Sequence, residues 1–250
     1  MADLPGRLAA ARESLARGEG TVAGLVPWFA GQIEADAAAG RFAEWASSTV
    51  IDENTAATVV PRRVFDELHG IAGLPGEWPV GNAGLLHVYG YLLSAVPTPY
   101  GLKHERWTGG GLAVALGLEP TAFVPWLDAA ETTLQRVTGA ALPLLHSPAA
   151  PLLWIDDRTT AGELVRTIVI PGALAYGVGG RLTTVFPVDT GAAGWERAIL
   201  DGPPRLRYNA VAEGAAPGSP LESRRVRVFV RNGPPAPAAA PPAPGVGGAP

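Results

Sequence analysis

The sequence predicts an α+β protein in which a helical N-terminal half packs on a C-terminal antiparallel sheet. Up to residue 141, apolar side chains recur mainly at intervals of three or four, the spacing of a helix face. After Pro148 they alternate in short runs separated by Pro-Gly or Gly-Gly pairs, which is typical of strands and hairpin turns. Helices followed by strands indicate the α+β class. We expect one domain over residues 1–232, with a helical part at 1–75 and a main body that carries the sheet at 84–232.

Three helices are expected before residue 75. The apolar side chains of the first share one face, at Leu4, Leu8, Ala11 and Leu15. Pro27 and Pro61 suit the first turn of the second and third helix, where a missing N–H costs nothing, although Pro27 would also fit a kink. Glycines at 18–20, at Gly40 and at Gly70 are expected to end the three helices, because glycine adopts the left-handed backbone conformation readily.

The segment Gly84–Val96 fits both a helix and a strand. Gly90 and the two tyrosines favour a strand, whereas the apolar residues recur at spacings that also fit a helix. Residues four apart share a face in either structure, so we expect the side chains of His87 and Tyr91 to point the same way.

A loop at residues 74–84 and a long helix at residues 122–141 are also predicted. The strands are expected at residues 152–155, 163–170, 173–178 and 181–188, with two more at 206–210 and 226–230. The Pro171-Gly172 and Gly179-Gly180 pairs would connect three of them into a meander.

Asp156, Asp157 and Arg158 follow the first predicted strand. Two neighbouring carboxylates could hold a magnesium ion together with a substrate phosphate. An Asp-Asp-Arg sequence after a strand is more typical of a turn with local capping, and this is the structure that we expect.

Composition and charge exclude several classes of function. There is no cysteine, which excludes disulfides, thiolate zinc sites and cysteine nucleophiles. The formal charge of -4 gives no general attraction to phosphate backbones or anionic membranes. No apolar run is long enough to cross a bilayer, and no apolar signal segment is recognised, so a cytoplasmic protein without membrane contact is expected.

Residues 233–250 are almost entirely Pro, Ala and Gly and are predicted to form a disordered tail.

The loop Pro97–Trp107 is the predicted ligand-binding site. Its prolines and glycine restrict the backbone, so the loop would present its side chains from a defined position. Lys103 and Arg106 could bind a carboxylate or phosphate, with Tyr100 and His104 beside them. The alternative is that these side chains are only solvated, as most charged loop residues are.

An enzymatic alternative uses His87, Tyr91 or His104 as catalytic groups. Histidine can exchange protons near neutral pH and tyrosine can donate to an oxyanion, while Lys103 and Arg106 would hold an anionic substrate. The competing interpretation makes His87 and Tyr91 ordinary core residues. The sequence completes no catalytic, zinc-binding or phosphate-binding signature, so neither a metal nor a cofactor is predicted.

Arginines cluster in and next to the last two predicted strands. They are Arg205, Arg207, Arg224, Arg225, Arg227 and Arg231, with the aromatic residues Tyr208 and Phe229 between them. A basic sheet surface with aromatics can stack nucleotides, so RNA binding is a minor alternative. Charges on an exposed edge strand also prevent aggregation, and the acidic net charge favours that interpretation over a nucleic-acid partner.

Three stretches resemble the actinobacterial aerial-mycelium-formation proteins of the Amf type. They are HVYGYLLSAVPTPYGLKHERW, LAYGVGGRLTTVFPVD and PRLRYNA, and the resemblance covers residues 84–210. It implies a role in morphological development and transfers no catalytic residue. The leading hypothesis is therefore a cytoplasmic regulatory or binding protein, possible partners being a small anionic ligand or another protein at residues 100–107. The sequence does not determine the ligand or the oligomeric state.

Overall fold

The computed structural model describes residues 4–50, 57–81, 84–98, 101–102, 104–105, 111–118, 133–147, 153–159, 162–187 and 223–230. The α-helices are α1 (Leu4–Ala16), α2 (Val22–Leu25), α3 (Pro27–Ala38), α4 (Arg62–Ala72), α5 (Gly84–Leu92), α6 (Gly111–Ala115) and α7 (Thr133–Ala141). Short 3-10 helices span Arg41–Glu44 and Leu142–Leu145. The strands are β1 (Ser48–Thr49), β2 (Val80–Gly81), β3 (Pro97–Thr98), β4 (Gly101–Leu102), β5 (Leu153–Thr159), β6 (Leu164–Ile170), β7 (Ala173–Val178), β8 (Arg181–Pro187) and β9 (Ser223–Val230).

The main sheet is antiparallel and has five strands in the order β8-β7-β6-β5-β9. Strands β5 to β8 form a meander, and the turns between β6, β7 and β8 lie at the two predicted glycine-containing pairs. Strand β9 pairs with β5 at the other edge, with Trp154 opposite Val230 and Ile155 opposite Phe229. The predicted α+β class, with helices before an antiparallel sheet, is confirmed.

Helix α5 lies at the centre of the molecule. All nine of its residues are buried, including His87 and the two tyrosines. A helix that is surrounded by apolar neighbours has no polar face, which explains why hydrophobic periodicity alone did not distinguish it from a strand. Residues 84–92 of the segment that fitted both structures are therefore a helix. Phe29 of α3 packs edge-on against Tyr89 of α5, with ring centroids 5.2 Å apart.

Gly84, the first residue of α5, brings this helix against β8. A methyl group at Gly84 would lie 2.6 Å from the carbonyl oxygen of Thr183 and 3.0 Å from that of Ala46. Such distances are shorter than any ordinary carbon–oxygen contact, so only glycine allows this approach. Trp45, wholly buried beside it, donates from Nε1 to the hydroxyl of Thr138 on α7 at 3.2 Å.

Helix α4 connects the ends of two other helices. Arg63 donates from Nη2 to the carbonyl of Leu15 at 2.6 Å and from Nη1 to that of Gly20 at 2.8 Å. One turn later, the carboxylate of Glu67 accepts hydrogen bonds from the amides of Val22 and Ala23 at the start of α2. Basic groups at a helix C-terminus and acidic groups at an N-terminus both complement the helix dipole.

The sheet is apolar on both faces. One face joins the helices in the main core, whereas Ile155, Val165, Val169, Leu174 and Tyr176 form a second buried cluster. Val178 and Phe186 pack against this second cluster, so among the described residues it consists of sheet side chains. A sheet that buries both faces gives nearly continuous apolar runs, as β7 shows.

Several predicted boundaries were wrong by a few residues. Helix α4 continues past the exposed Gly70 and ends at Gly73, whose φ of 63° is left-handed. The predicted loop 74–84 contains the short strand β2, which pairs with β1. Pro27 occupies the first turn of α3 and separates it from α2, so it begins a helix and does not kink one.

The expected turn at Asp156 and Asp157 was also wrong. Both residues lie within β5, which extends to Thr159 because it pairs with β6 along its whole length up to Arg158. The predicted strand at 206–210, the first part of the helix at 122–141 and the tail at 233–250 lie outside the described residues. Within the described ranges, no helix is long and apolar enough to cross a membrane.

Candidate functional site

Two basic side chains meet at the C-terminal end of α5. The Nε atom of Arg12, on α1, donates to the carbonyl of Leu92 at 2.7 Å. The imidazole of His104 donates to the carbonyl of Ser94, two residues further along the chain. The carbonyl of Leu92, the last residue of α5, is one that a helix end leaves without a helical partner. We call Arg12, His104 and the adjacent Glu105 the α5-end cluster.

Local sequence explains how the α5-end cluster forms. Arg12 follows Leu8 by four residues and precedes Leu15 by three, so it lies along the buried stripe of α1 and is half-buried. After α5, the hydroxyl of Ser94 accepts from the amide of Val96 at 3.2 Å and forms a tight turn. The two-residue strands β3 and β4 then pair and return the chain toward the end of α5.

Glu105 supplies the negative charge of the cluster. Its carboxylate accepts a hydrogen bond from the amide of Leu102 at 3.2 Å, which fixes it at the end of β4. Glu105 itself is exposed. An exposed carboxylate is strongly screened by water, so it neutralises a neighbouring cation only in part.

Burial dominates the electrostatics of the two basic groups. It lowers the pKa of Arg12, and the charge of Glu105 opposes this effect. The pKa of His104 is lowered first by burial and then by the positive charge of Arg12, against the opposing effects of Glu105 and the Ser94 carbonyl. His104 is therefore mainly neutral at neutral pH, while Arg12 keeps its charge because an ordinary arginine titrates far above this range.

The two Nη atoms of Arg12 give the cluster its binding capacity. Among the described residues, Arg12 forms one hydrogen bond, through Nε, and no ion pair with a carboxylate. The Nη atoms of a guanidinium form the planar fork that binds carboxylate and phosphate groups. The cluster can therefore present a half-buried cation to an anion.

A second group of polar side chains surrounds a small cavity between α4, α5, β1 and β2. His69 and His87 line it together with Ser48, Gly81, Gly90 and apolar side chains. Both histidines are buried, with 5% and 7% of their surface exposed. The cavity leaves about 10 Å³ for the centre of a water molecule. This is room for roughly one water, so an organic substrate does not fit.

The prediction that His87 and Tyr91 share a face is confirmed. Their ring centroids are 4.1 Å apart and the rings are nearly perpendicular, at 77°. Edge-to-face packing of this kind is favourable between buried rings. His104 is not among the residues that line the cavity next to His87. The two histidines of the enzymatic alternative therefore do not share this cavity.

The remaining predicted site residues are described only in part. Tyr100, Lys103 and Arg106 lie outside the described residues, so their place relative to Arg12 stays a prediction. Arg224, Arg225 and Arg227 belong to the edge strand β9, but their side chains are not described. Arg205, Arg207 and Arg231 lie outside the described ranges.

Sequence reasoning did not identify a buried carboxylate on α3. Asp36 is wholly buried and accepts a hydrogen bond of 2.5 Å from the hydroxyl of Tyr89. Gln32 donates to its other oxygen at 3.3 Å, and Arg41 lies 3.5 Å from that oxygen. Burial, followed by the charge of Asp36, raises the pKa of Tyr89 well above its ordinary value. One sequence signal could have identified it: Asp36 follows Ile33 by three residues, so it lies on the apolar face of the predicted helix.

Asp156 binds an arginine, which excludes the suggested pairing with Asp157 at a magnesium ion. Arg166 donates to both carboxylate oxygens of Asp156, at 2.7 and 2.8 Å, and stacks 4.1 Å from the ring centre of Trp154. No group of three or more potential metal ligands occurs in the part of the chain that the structure describes.

Comparison with known proteins found no match to a family model, to a curated protein or to a solved structure. The resemblance to Amf-type proteins therefore stays a prediction that rests on the three sequence stretches named above.

Proposed function

We propose that this protein is a cytoplasmic binding protein that recognises a small anionic ligand at the α5-end cluster. Arg12 supplies the principal cation, and His104 lies beside it. The predicted loop residues Tyr100, Lys103 and Arg106 would complete the site, because Lys103 adjoins His104 and the other two lie within four residues of it in the sequence. A regulatory role in morphological development is the part of the proposal that follows from the Amf-type resemblance.

The half-buried guanidinium of Arg12 is the observation that supports this proposal. Burial removes part of the hydration of the cation, and the exposed Glu105 restores only part of the lost stabilisation. An anion that accepts hydrogen bonds from the Nη atoms would supply the rest. Hydrogen bonds between charged groups are about twice as strong as neutral ones.

Calorimetric titration with inorganic phosphate, citrate and short dicarboxylates, at constant ionic strength, tests the proposal. Arg12→Gln should weaken binding at least about tenfold, since hydrogen bonds to charged groups contribute about 1.5–3 kcal/mol. Arg17→Gln is the matched control, because Arg17 is exposed just after the same helix and pairs with Glu19. Binding by the Arg17 variant should equal that of the wild type.

Arg12 also binds the end of α5, so the Arg12 variant needs a folding control. Unfolding in urea should show that Arg12→Gln is folded under the binding conditions, and His104→Gln provides a second variant that leaves Arg12 in place. Equal affinity in the wild type and Arg12→Gln would contradict the proposal. Failure of every anion to bind the wild type would contradict it as well, and would leave a protein partner as the remaining hypothesis.

A further inference from the structure

The face of the main sheet that carries the second buried cluster, which we call the second face, needs a covering layer. Its five clustered side chains are between 0% and 5% exposed, yet the described residues that pack on them, Val178 and Phe186, lie in the same sheet. Neighbours within one sheet cover a side chain from its sides and leave its tip open. The helical residues Leu112, Val137 and Leu145 belong to the main core on the other face. The hydrophobic cover of the second face therefore comes from chain outside the described ranges.

The two edge strands determine the path of one such segment. Strands β5 to β8 alternate in direction and β9 is antiparallel to β5, so β8 and β9 run the same way at opposite edges. Pro187 ends β8 level with Ala173, whereas Ser223 begins β9 level with Thr159, at the other end of the strands. Residues 188–222 must therefore traverse both the length of the sheet and its width, which is about 19 Å for four strand spacings.

The handedness of this connection assigns it to the second face. Ile170 and Ala173 flank a two-residue hairpin turn on the main-core side of the sheet, so their backbones exchange hydrogen bonds. With L-residues, this places β7 to the right of β6 when the sheet is viewed from the main-core side with β6 pointing up. Strands β8 and β9 then both point up, at the right and left edges. A connection from β8 to β9 is right-handed only if it passes behind the sheet, over the second face, and crossovers between parallel strands are right-handed in about 98% of cases.

The sequence of this segment suits a crossover helix. Trp195, Ala198 and Ile199 have the spacing of one helix face. Arg197 lies on the opposite side of such a helix, and Gly202–Pro204 would end it. Connections between parallel strands usually contain a helix.

Other parts of the chain fit the second face less well. Residues 119–132 join α6 to α7, and both helices pack in the main core on the other face. Residues 233–250 are almost entirely Pro, Ala and Gly, so they offer few large apolar side chains for such a surface. The segment between β8 and β9 is therefore the occupant that the topology favours.

We propose that residues 188–222 cross the second face and dock a short helix on it, so that the sheet is the middle layer of three. Trp195 and Ile199 supply the apolar surface that covers the clustered side chains. A sheet that is apolar on both faces requires such a layer on each of them. Position 229 is paired with Ile155 and belongs to the covered face, which is then closed to the stacked bases that the RNA-binding alternative requires.

A spin label on the proposed helix tests this arrangement. The chain has no cysteine, so Arg197→Cys provides one labelling site, on the polar side of the helix. Val169 and Ile168 are adjacent in β6 but belong to the second cluster and to the main core, respectively. In methyl NMR spectra, the label should broaden the Val169 signals more than the Ile168 signals, because paramagnetic broadening falls steeply with distance. Labels at Ala238→Cys and Glu131→Cys provide the comparison.

Reduction of the label should restore the methyl spectrum of the wild type, which shows that the labelled protein is folded. Glu196→Cys is the second labelling site if Arg197→Cys does not fold. Broadening of Ile168 that equals or exceeds that of Val169 would overturn the proposal, and so would the absence of broadening at both residues. Broadening of Val169 by a comparison label alone would also overturn it and would identify a different segment as the cover.

Discussion

At the scale of single residues, the carboxylate of Asp36 stands out because it is wholly buried in the core. A wholly buried carboxylate is stable only when its oxygens accept hydrogen bonds, and Tyr89 supplies the shortest of them, at 2.5 Å. Tyr89 in turn keeps its proton, because burial and then the charge of the same carboxylate raise its pKa. The pair therefore joins α3 to α5 and contributes to the alignment of the two helices.

Tyr89→Phe should lower the free energy of unfolding by about 1–3 kcal/mol, because it leaves a buried acceptor without its main donor. Asp36→Asn should also destabilise the protein. The double variant should lose less than the sum of the two single losses, since both remove the same interaction. Urea unfolding of all four proteins measures this coupling, and strictly additive losses would show that the 2.5 Å contact contributes little.

At the scale of elements, α5 contains two glycines that differ in whether the space beside them could hold a side chain. Gly84 lies against backbone oxygens of β8 and of the chain before β1, whereas Gly90 lies against the Val60 side chain, 3.7 Å from the position of a Cβ. A backbone oxygen cannot move aside without displacing a strand. An added methyl at Gly90 meets only an ordinary van der Waals contact.

Gly84→Ala should therefore lower the melting temperature, while Gly90→Ala should leave it unchanged or raise it. Alanine in a helix interior is favoured over glycine by roughly 0.5–1 kcal/mol, which the Gly90 variant can gain without a clash. Overpacking at Gly84 should cost about 1–3 kcal/mol. Calorimetric melting of both variants is the measurement, and equal melting temperatures would contradict the close approach of α5 to β8.

At the scale of the whole molecule, the buried His69 and the half-buried His104 should make the free energy of unfolding depend on pH. Burial lowers the pKa of both His69 and His104 in the folded state. The unfolded chain then binds more protons than the folded one between the lowered pKa values and the ordinary value of about 6.5. The stabilisation is complete above this window and is lost as the pH falls through it.

The free energy of unfolding should thus decrease as the pH falls from about 6.5 towards the lowered pKa values, before most carboxylates titrate. Urea unfolding at a series of pH values measures it. Replacement of both His69 and His104 by glutamine should flatten this slope. An unchanged slope in the double variant would show that other groups cause the acid sensitivity.

The positions of the longer helices before residue 75 and of the strands of the meander could be predicted from the sequence, because they depend on local periodicity. Apolar spacing located α1, α3 and α4, and alternation with glycine turns located β6, β7 and β8. Boundaries were less certain because tertiary pairing decides them. Strand β5 extends through Asp156 and Asp157 since β6 pairs with it there, and no local signal of the two aspartates indicates such a partner.

By itself, the sequence determined the α+β class, the antiparallel meander and the shared face of His87 and Tyr91, all of which follow from spacings along the chain. Only the tertiary structure decided that residues 84–92 form a helix, because a segment buried on every side carries no polar face to mark its period. It also decided that Arg12 joins His104 at the end of α5. Arg12 and Leu92, 80 positions apart, meet there through packing, and packing is not encoded in any local pattern.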